Sequence, residues 1–177
     1  MNVVLTVPHS ICLDDNKSHF CDSSAYKNAY NLHNIIRELS PDTKTQLFKS
    51  DTYRKICDEN RAKCRDKPFR QLIDKNIDSN TVLLDIHSFP KYGFGSIDHD
   101  VVLLYLYSLD SNTYNLMKHL QQKGVTVGSF KGTIDNDILY TTRKKVKYNL
   151  LIEFNESLSL EEANVICCII AEWLLDL

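Results

Sequence analysis

The chain has no long apolar run, little glycine and proline, and no excess of one charge. Five glycines and four prolines in 177 residues exclude collagen-like and low-complexity classes. No stretch approaches the ~18 consecutive apolar residues of a transmembrane helix. A formal net charge of −2 gives no electrostatic basis for binding nucleic acid or an anionic membrane, and the run Arg143-Lys144-Lys145 reads as a solvated turn. No basic n-region or small-residue cleavage site precedes the first apolar residues, which predicts a cytoplasmic protein. There is no CxxC pair, so a structural zinc knot is not expected. The six cysteines lack a secretory context and are read as unpaired, with Cys167 and Cys168 as small buried hydrophobes in an apolar helix. A G-x-S-x-G elbow is also missing, which argues against a serine hydrolase despite Ser10 and Ser88 beside histidines. Gly93-Phe94-Gly95 lacks the third glycine of a dinucleotide loop.

What is present is alternation. Residues 2–7, 45–48, 81–86, 101–107, 125–127 and 148–154 read as strands, because they are short, apolar and β-branched. Helical spacing runs from Asp22 or Ser23 to Leu39, from about Cys57 to Ile77 with an interruption near Pro68, and over 112–122 and 160–175. Ser159 and Glu162 form a capping box at the start of the last helix. Residues 13–18 and 89–98 read as loops, and 128–140 as irregular. Without repeats or a linker, residues 1–177 make one domain, a three-layer α/β/α sandwich around a mostly parallel central sheet.

Three motifs lie at strand ends: Val7-Pro8-His9-Ser10, Asp85-Ile86-His87-Ser88 and Glu153-Phe154-Asn155-Glu156. In an open α/β sheet the carboxyl edge of the strands is where ligands bind. Two histidines and a carboxylate meeting there have the chemistry of a zinc hydrolase, which needs three protein ligands and one open position. His9 and His87 supply two ligands. Asp22 is the candidate third, with an ordinary helix N-cap as its competing role; Cys12, Asp14, Asp15 and His19 are weaker candidates from the same segment. Glu153, costly to bury without a partner, suits a general base. Asn155 could hold a substrate oxygen or the local backbone. Arg54, Asp58, Asn60 and Arg61 combine a guanidinium with an amide, a pairing suited to capturing a carboxylate but also to an exposed helix start.

Pro8-His9-Ser10, Asp58-x-Asn60-Arg61, Asp85-x-His87-Ser88, the Glu153 segment and Asn136-Asp137-Ile138 together resemble N-formylglutamate amidohydrolases. In their order they also resemble the wider zinc carboxypeptidase group. The resemblance implies a zinc-exopeptidase (phosphorylase/hydrolase)-like fold with zinc on His9, Asp22 and His87 and Glu153 as base. It implies that Arg61, with Asn60, Arg54 and Asn136, binds a substrate carboxylate. The expected substrate is a small N-acyl amino acid or a peptide C-terminus with a free carboxylate, with neither nucleic acid nor membrane as partner. Ile11 stands where that family usually has glycine, and Cys12 occupies the place of the carboxypeptidase His-x-x-Glu acid. The alternative is a non-catalytic module that holds metal and a carboxylate on the same fold.

Overall fold

The structure, a computed structural model, describes residues 1–12 and 21–177. Six strands form one sheet: β1 (Asn2–Val7), β2 (Lys44–Lys49), β3 (Thr81–Phe89), β4 (Val101–Tyr105), β5 (Val127–Lys131) and β6 (Tyr148–Asn155). Their order is β2-β1-β3-β6-β4-β5, with every pair parallel except β4 against β6. Three helices, α1 (Ala25–Leu39), α3 (Ser111–Gln122) and α5 (Leu160–Leu175), bury their apolar sides on one face of the sheet against Val3, Leu5, Leu84, Ile86 and Ile152. The other face carries α2 (Pro68–Asn76) and α4 (Asp137–Thr142), packed on Val4, Leu83 and Leu151. This is the three-layer α/β/α sandwich the alternation predicts. A strand with a helix layer on each face has to be apolar on both, and β3 is buried along its whole length.

Several boundaries differ from the sequence reading. The stretch 57–67 is a series of turns with one short 3₁₀ turn at Ala62–Cys64, and a helix starts only at Pro68. Proline there opens the helix, because its missing N–H is an orphan in a first turn anyway. β5 begins two residues later than read and runs to Lys131, and α4 occupies part of the segment read as irregular. At α5 the capping box forms as expected, with the Ser159 hydroxyl accepting from the Glu162 N–H.

The cysteine reading is corrected. Cys12 is bonded to Cys21 and Cys57 to Cys64, leaving Cys167 and Cys168 as thiols. The pairs are far from CxxC spacing and join segments of irregular backbone, so no local pattern announces them. Disulfides persist in oxidising compartments, which runs against the expectation of a cytoplasmic location. No helix among the described residues is long and apolar enough to cross a membrane.

The turn-rich stretch after β2 is fastened to α4 by charge. Asp137 is fully buried and accepts from both Arg65 and Arg70, and Arg70 also donates to the carbonyl of Glu59. Burial alone would raise the Asp137 pKa, but the two guanidiniums hold it below the ordinary carboxylate range. A depressed folded-state pKa contributes stability that is complete above the unfolded value of about 4 and is lost as pH falls through the folded one. Asp137→Asn should therefore destabilise the protein by about 3 kcal/mol at neutral pH, since it strands the buried Arg70. The variant's deficit should shrink in acid. Chemical denaturation at pH 7 and pH 3 measures both; equal deficits at the two pH values would contradict the ion-pair account.

Candidate metal centre

Parallel pairing of β1 with β3 brings His9 and His87 together at the carboxyl edge, their rings edge to face with centroids 5.0 Å apart. Asp22 joins them through its backbone N–H, which donates to the His9 carbonyl at 3.1 Å. The start of α1 is held from the sheet as well. Ser24 N–H donates to the Ser88 hydroxyl, and Glu156 accepts from both Ser23 N–H and Ser88. Ser88 is thus committed to positioning. Asp22 does not cap α1, whose N-cap is Ser24 without a side-chain cap; the competing role weighed for it is not the one it takes.

All three side chains are buried, and their donor atoms converge. Nδ1 of His87 lies 2.7 Å and Nδ1 of His9 3.2 Å from the same oxygen, Oδ2 of Asp22. One donor atom from each residue falls within 4.8 Å of the others, the spacing of a group that could hold a metal ion. Two imidazole nitrogens and a carboxylate oxygen are the donor types a zinc ion accepts.

Each histidine is gripped from behind. His9 Nε2 donates to Asp58 Oδ1 at 2.7 Å, and His87 Nε2 to Asp85 Oδ2 at 3.1 Å. Asp85 is fully buried and its other oxygen accepts from the Thr6 hydroxyl at 2.6 Å. Carboxylates on the far nitrogens fix the ring orientation and leave both Nδ1 atoms facing Asp22 Oδ2. Burial would raise the pKa of Asp22 and of Asp58; their histidine contacts, aided at Asp58 by Arg54 and Arg61, outweigh it and hold both well below the usual range. Burial would lower the His87 pKa, but Asp85 and Asp22 outweigh it and raise it well above the ordinary value.

His9, Asp22 and His87 line one open cleft of about 450 Å³ together with Glu153, Arg54, Asn60, Arg61 and Asn136. The expected ligands, base and carboxylate-binding residues therefore share it. Glu153 is in register with His87 on the neighbouring strand and makes no side-chain hydrogen bond or ion pair among the described residues. Burial, reinforced by the Asp22 and Asp85 charges against the opposing histidines, pushes its pKa up to about 7. Asn60 is more committed than the sequence implies: its amide lies 3.3 Å from His87 Nε2 and its carbonyl oxygen accepts from Ile138 N–H. Arg61 donates to the Asp135 carbonyl and stays a third exposed. Asn136 lines the cleft while its side-chain oxygen accepts from Thr133 N–H. Asn155 holds local backbone, donating to the His99 carbonyl. Cys12, weighed as a ligand, is in a disulfide; Asp14, Asp15 and His19 lie outside the described residues.

The gripping roles of Asp58 and Asp85 were missed. Asp85 was legible in principle, two residues before His87 and so on the same side of one strand. Asp58 was not, because nothing in spacing joins the turn after β2 to His9.

No protein-family model and no curated protein matches the sequence. Solved structures do match in fold. The gene product Atu2144 from Agrobacterium tumefaciens superposes with a TM-score of 0.64 at 15% identity, covering 99% of this chain and 89% of that one. The N-acetylmuramoyl-L-alanine amidase AmiC2 of Nostoc punctiforme gives 0.62 at 14%, covering 99% and 96%. The catalytic domain of CwlV, an N-acetylmuramoyl-L-alanine amidase from Bacillus (Paenibacillus) polymyxa var. colistinus, gives 0.59 at 15%, with the same coverage. At these identities the likeness is one of fold.

The convergence of donors leads to a direct test. Protein loaded with zinc should bind about one ion per chain, and His9→Ala and His87→Ala should each abolish stoichiometric binding by elemental analysis. Asp22→Asn should weaken affinity in a chelator competition, because it removes a ligand oxygen that both histidine Nδ1 atoms face. Undiminished zinc in both histidine variants would remove the metal centre.

Proposed function

We propose that the chain is a zinc-dependent amidohydrolase that cleaves the amide bond of a small N-acyl amino acid or of a peptide C-terminus. The observation that carries this reading is the convergence of His9 Nδ1 and His87 Nδ1 on one Asp22 oxygen, with the Glu153 carboxylate in the same cleft. The likeness to folds whose names denote amidases supports amide hydrolysis as the reaction class. The motifs at Asp58 to Arg61 and Asp85 to Ser88 support the narrower resemblance to N-formylglutamate amidohydrolases. A zinc ion on His9, Asp22 and His87 would supply a Lewis acid for the amide carbonyl and lower the pKa of a coordinated water to roughly 7.

The remaining work falls to side chains. Glu153 takes a proton from the attacking water and returns it to the nitrogen of the departing amine, so that the leaving group departs as a neutral amine. Arg61, with Arg54 on the same flank, holds the substrate carboxylate and so fixes where the amide sits over the metal position. Asp58 and Asp85 keep the histidine rings from turning as charge develops.

Glu153→Gln should retain zinc, because it is isosteric and not a ligand, while kcat on an N-acyl amino acid falls by roughly 10²–10⁴. Zinc content, melting temperature and turnover measured on one preparation decide this; zinc lost together with activity would make Glu153 a ligand instead. Arg61→Lys keeps the charge but loses the planar fork. It should raise KM for free-acid substrates by about tenfold and leave the corresponding carboxamides little changed. Equal damage to both substrate forms would count against carboxylate recognition.

A further inference from the structure

The cleft has two chemically different ends, and the sheet order separates them. Across the carboxyl edge the sequence is His9 on the β1 side, His87 on β3, Glu153 on β6, then β4. Arg54 and Arg61 belong to the His9 end, where Asp58 lies within 3.7 Å of both guanidiniums. Among the described residues, those lining the opposite end carry no charge. Its wall is Phe89, Pro90, Phe94 and Leu104, all lining the cleft. Leu104 shares the Glu153 face of the sheet, since Val102 is in register with Glu153 and Leu104 lies two residues further along β4.

The wall is built and continues outward. Phe89 and Phe94 meet edge to face at 5.0 Å, and Phe94 stacks on Phe130 of β5 at 5.6 Å. Gly93 allows the loop to fold this tightly, because a Cβ there would lie 2.9 Å from the Pro90 carbonyl oxygen.

Building on the amidohydrolase reading, we propose that the substrate is an amphiphile: an N-acyl amino acid with a medium-length aliphatic or an aromatic acyl group. A carboxylate held at the His9 end and an amide over His87 and Glu153 direct the other substituent of the scissile bond, the acyl group, toward Leu104 and Phe94. The reaction adds water across the C–N bond, releasing a carboxylic acid and a free amino acid.

The test is an acyl series on glycine (formyl, acetyl, butyryl, hexanoyl, octanoyl) with zinc-loaded wild-type protein. A parallel series varies the amino acid side chain under a constant acetyl group. kcat/KM should rise about two- to fourfold per methylene up to hexanoyl, in line with the transfer of a methylene from water to an apolar wall, and change little along the second series. Phe94→Ala should flatten the first series, read as the ratio of hexanoyl to acetyl rates within each protein. A preference for formyl or acetyl, or a gradient confined to the second series, would overturn the proposal and leave the amidohydrolase reading standing. Binding of the same acyl-glycines to the Glu153→Gln variant, measured by calorimetry, separates the two. Affinity that rises with chain length while wild type hydrolyses none of them would sink the hydrolase reading and keep the apolar subsite; affinity independent of chain length would sink the subsite.

Discussion

The parallel pairing of β1 with β3 is the constraint from which the site follows. Two parallel strands in register run to the same edge, so His9, just past the end of β1, and His87, near the end of β3, are neighbours whatever separates them in sequence. His9 and His87 lie 78 positions apart in the chain yet meet with ring centroids 5.0 Å apart. The same register places Thr6 opposite Asp85, so the hydrogen bond that anchors Asp85 behind His87 is a property of the ladder itself. β6, also parallel to β3, brings Glu153 level with His87. A one-residue slip in either pairing would turn these side chains to the opposite face, where α1, α3 and α5 pack. The large apolar core on that face is what fixes the register, and with it the site.

The loops then supply what the strands cannot. The segments that carry Asp22 and Asp58 have no ladder of their own, and each is tied down several times over. Asp22 sits next to a disulfide and on a backbone bond to His9. Asp58 follows Cys57, bonded to Cys64, and the same stretch is clamped through Arg65, Arg70 and the buried Asp137. Irregular backbone held this densely meets the demand of a site in which small displacements of a ligand or a gripping carboxylate matter.

The legible parts of the protein were those written in local periodicity. Alternating apolar strands and amphipathic helices gave the layers, and polar residues closing apolar strands marked His9, His87 and Glu153. Asp22 could be marked only as one of several candidates, because a residue before a helix has more than one ordinary job. The disulfides, the turns at 57–67 and the grip of Asp58 on His9 depend on which loops meet in space, and no spacing rule encodes that. Composition misled at the cysteines for a related reason: context argued against pairing, while geometry brought two pairs together.

Charge gives this cluster a negative field. Asp22, Asp58, Asp85 and Glu153 put four carboxylates around two imidazoles, and the guanidiniums of Arg54 and Arg61 reach mainly the Asp22–Asp58 side. On the other side Asp85 and Asp22 draw a proton onto His87 strongly enough to overcome its burial, while Glu153 is driven toward its neutral form. Both shifts express one imbalance, a negative pocket that recruits positive charge from whatever can supply it. A divalent cation does so more completely than a single proton. His9, Asp22 and His87 are the residues that would hold it. The carboxylates that grip the histidines therefore orient the rings and also set a negative field that would favour a cation.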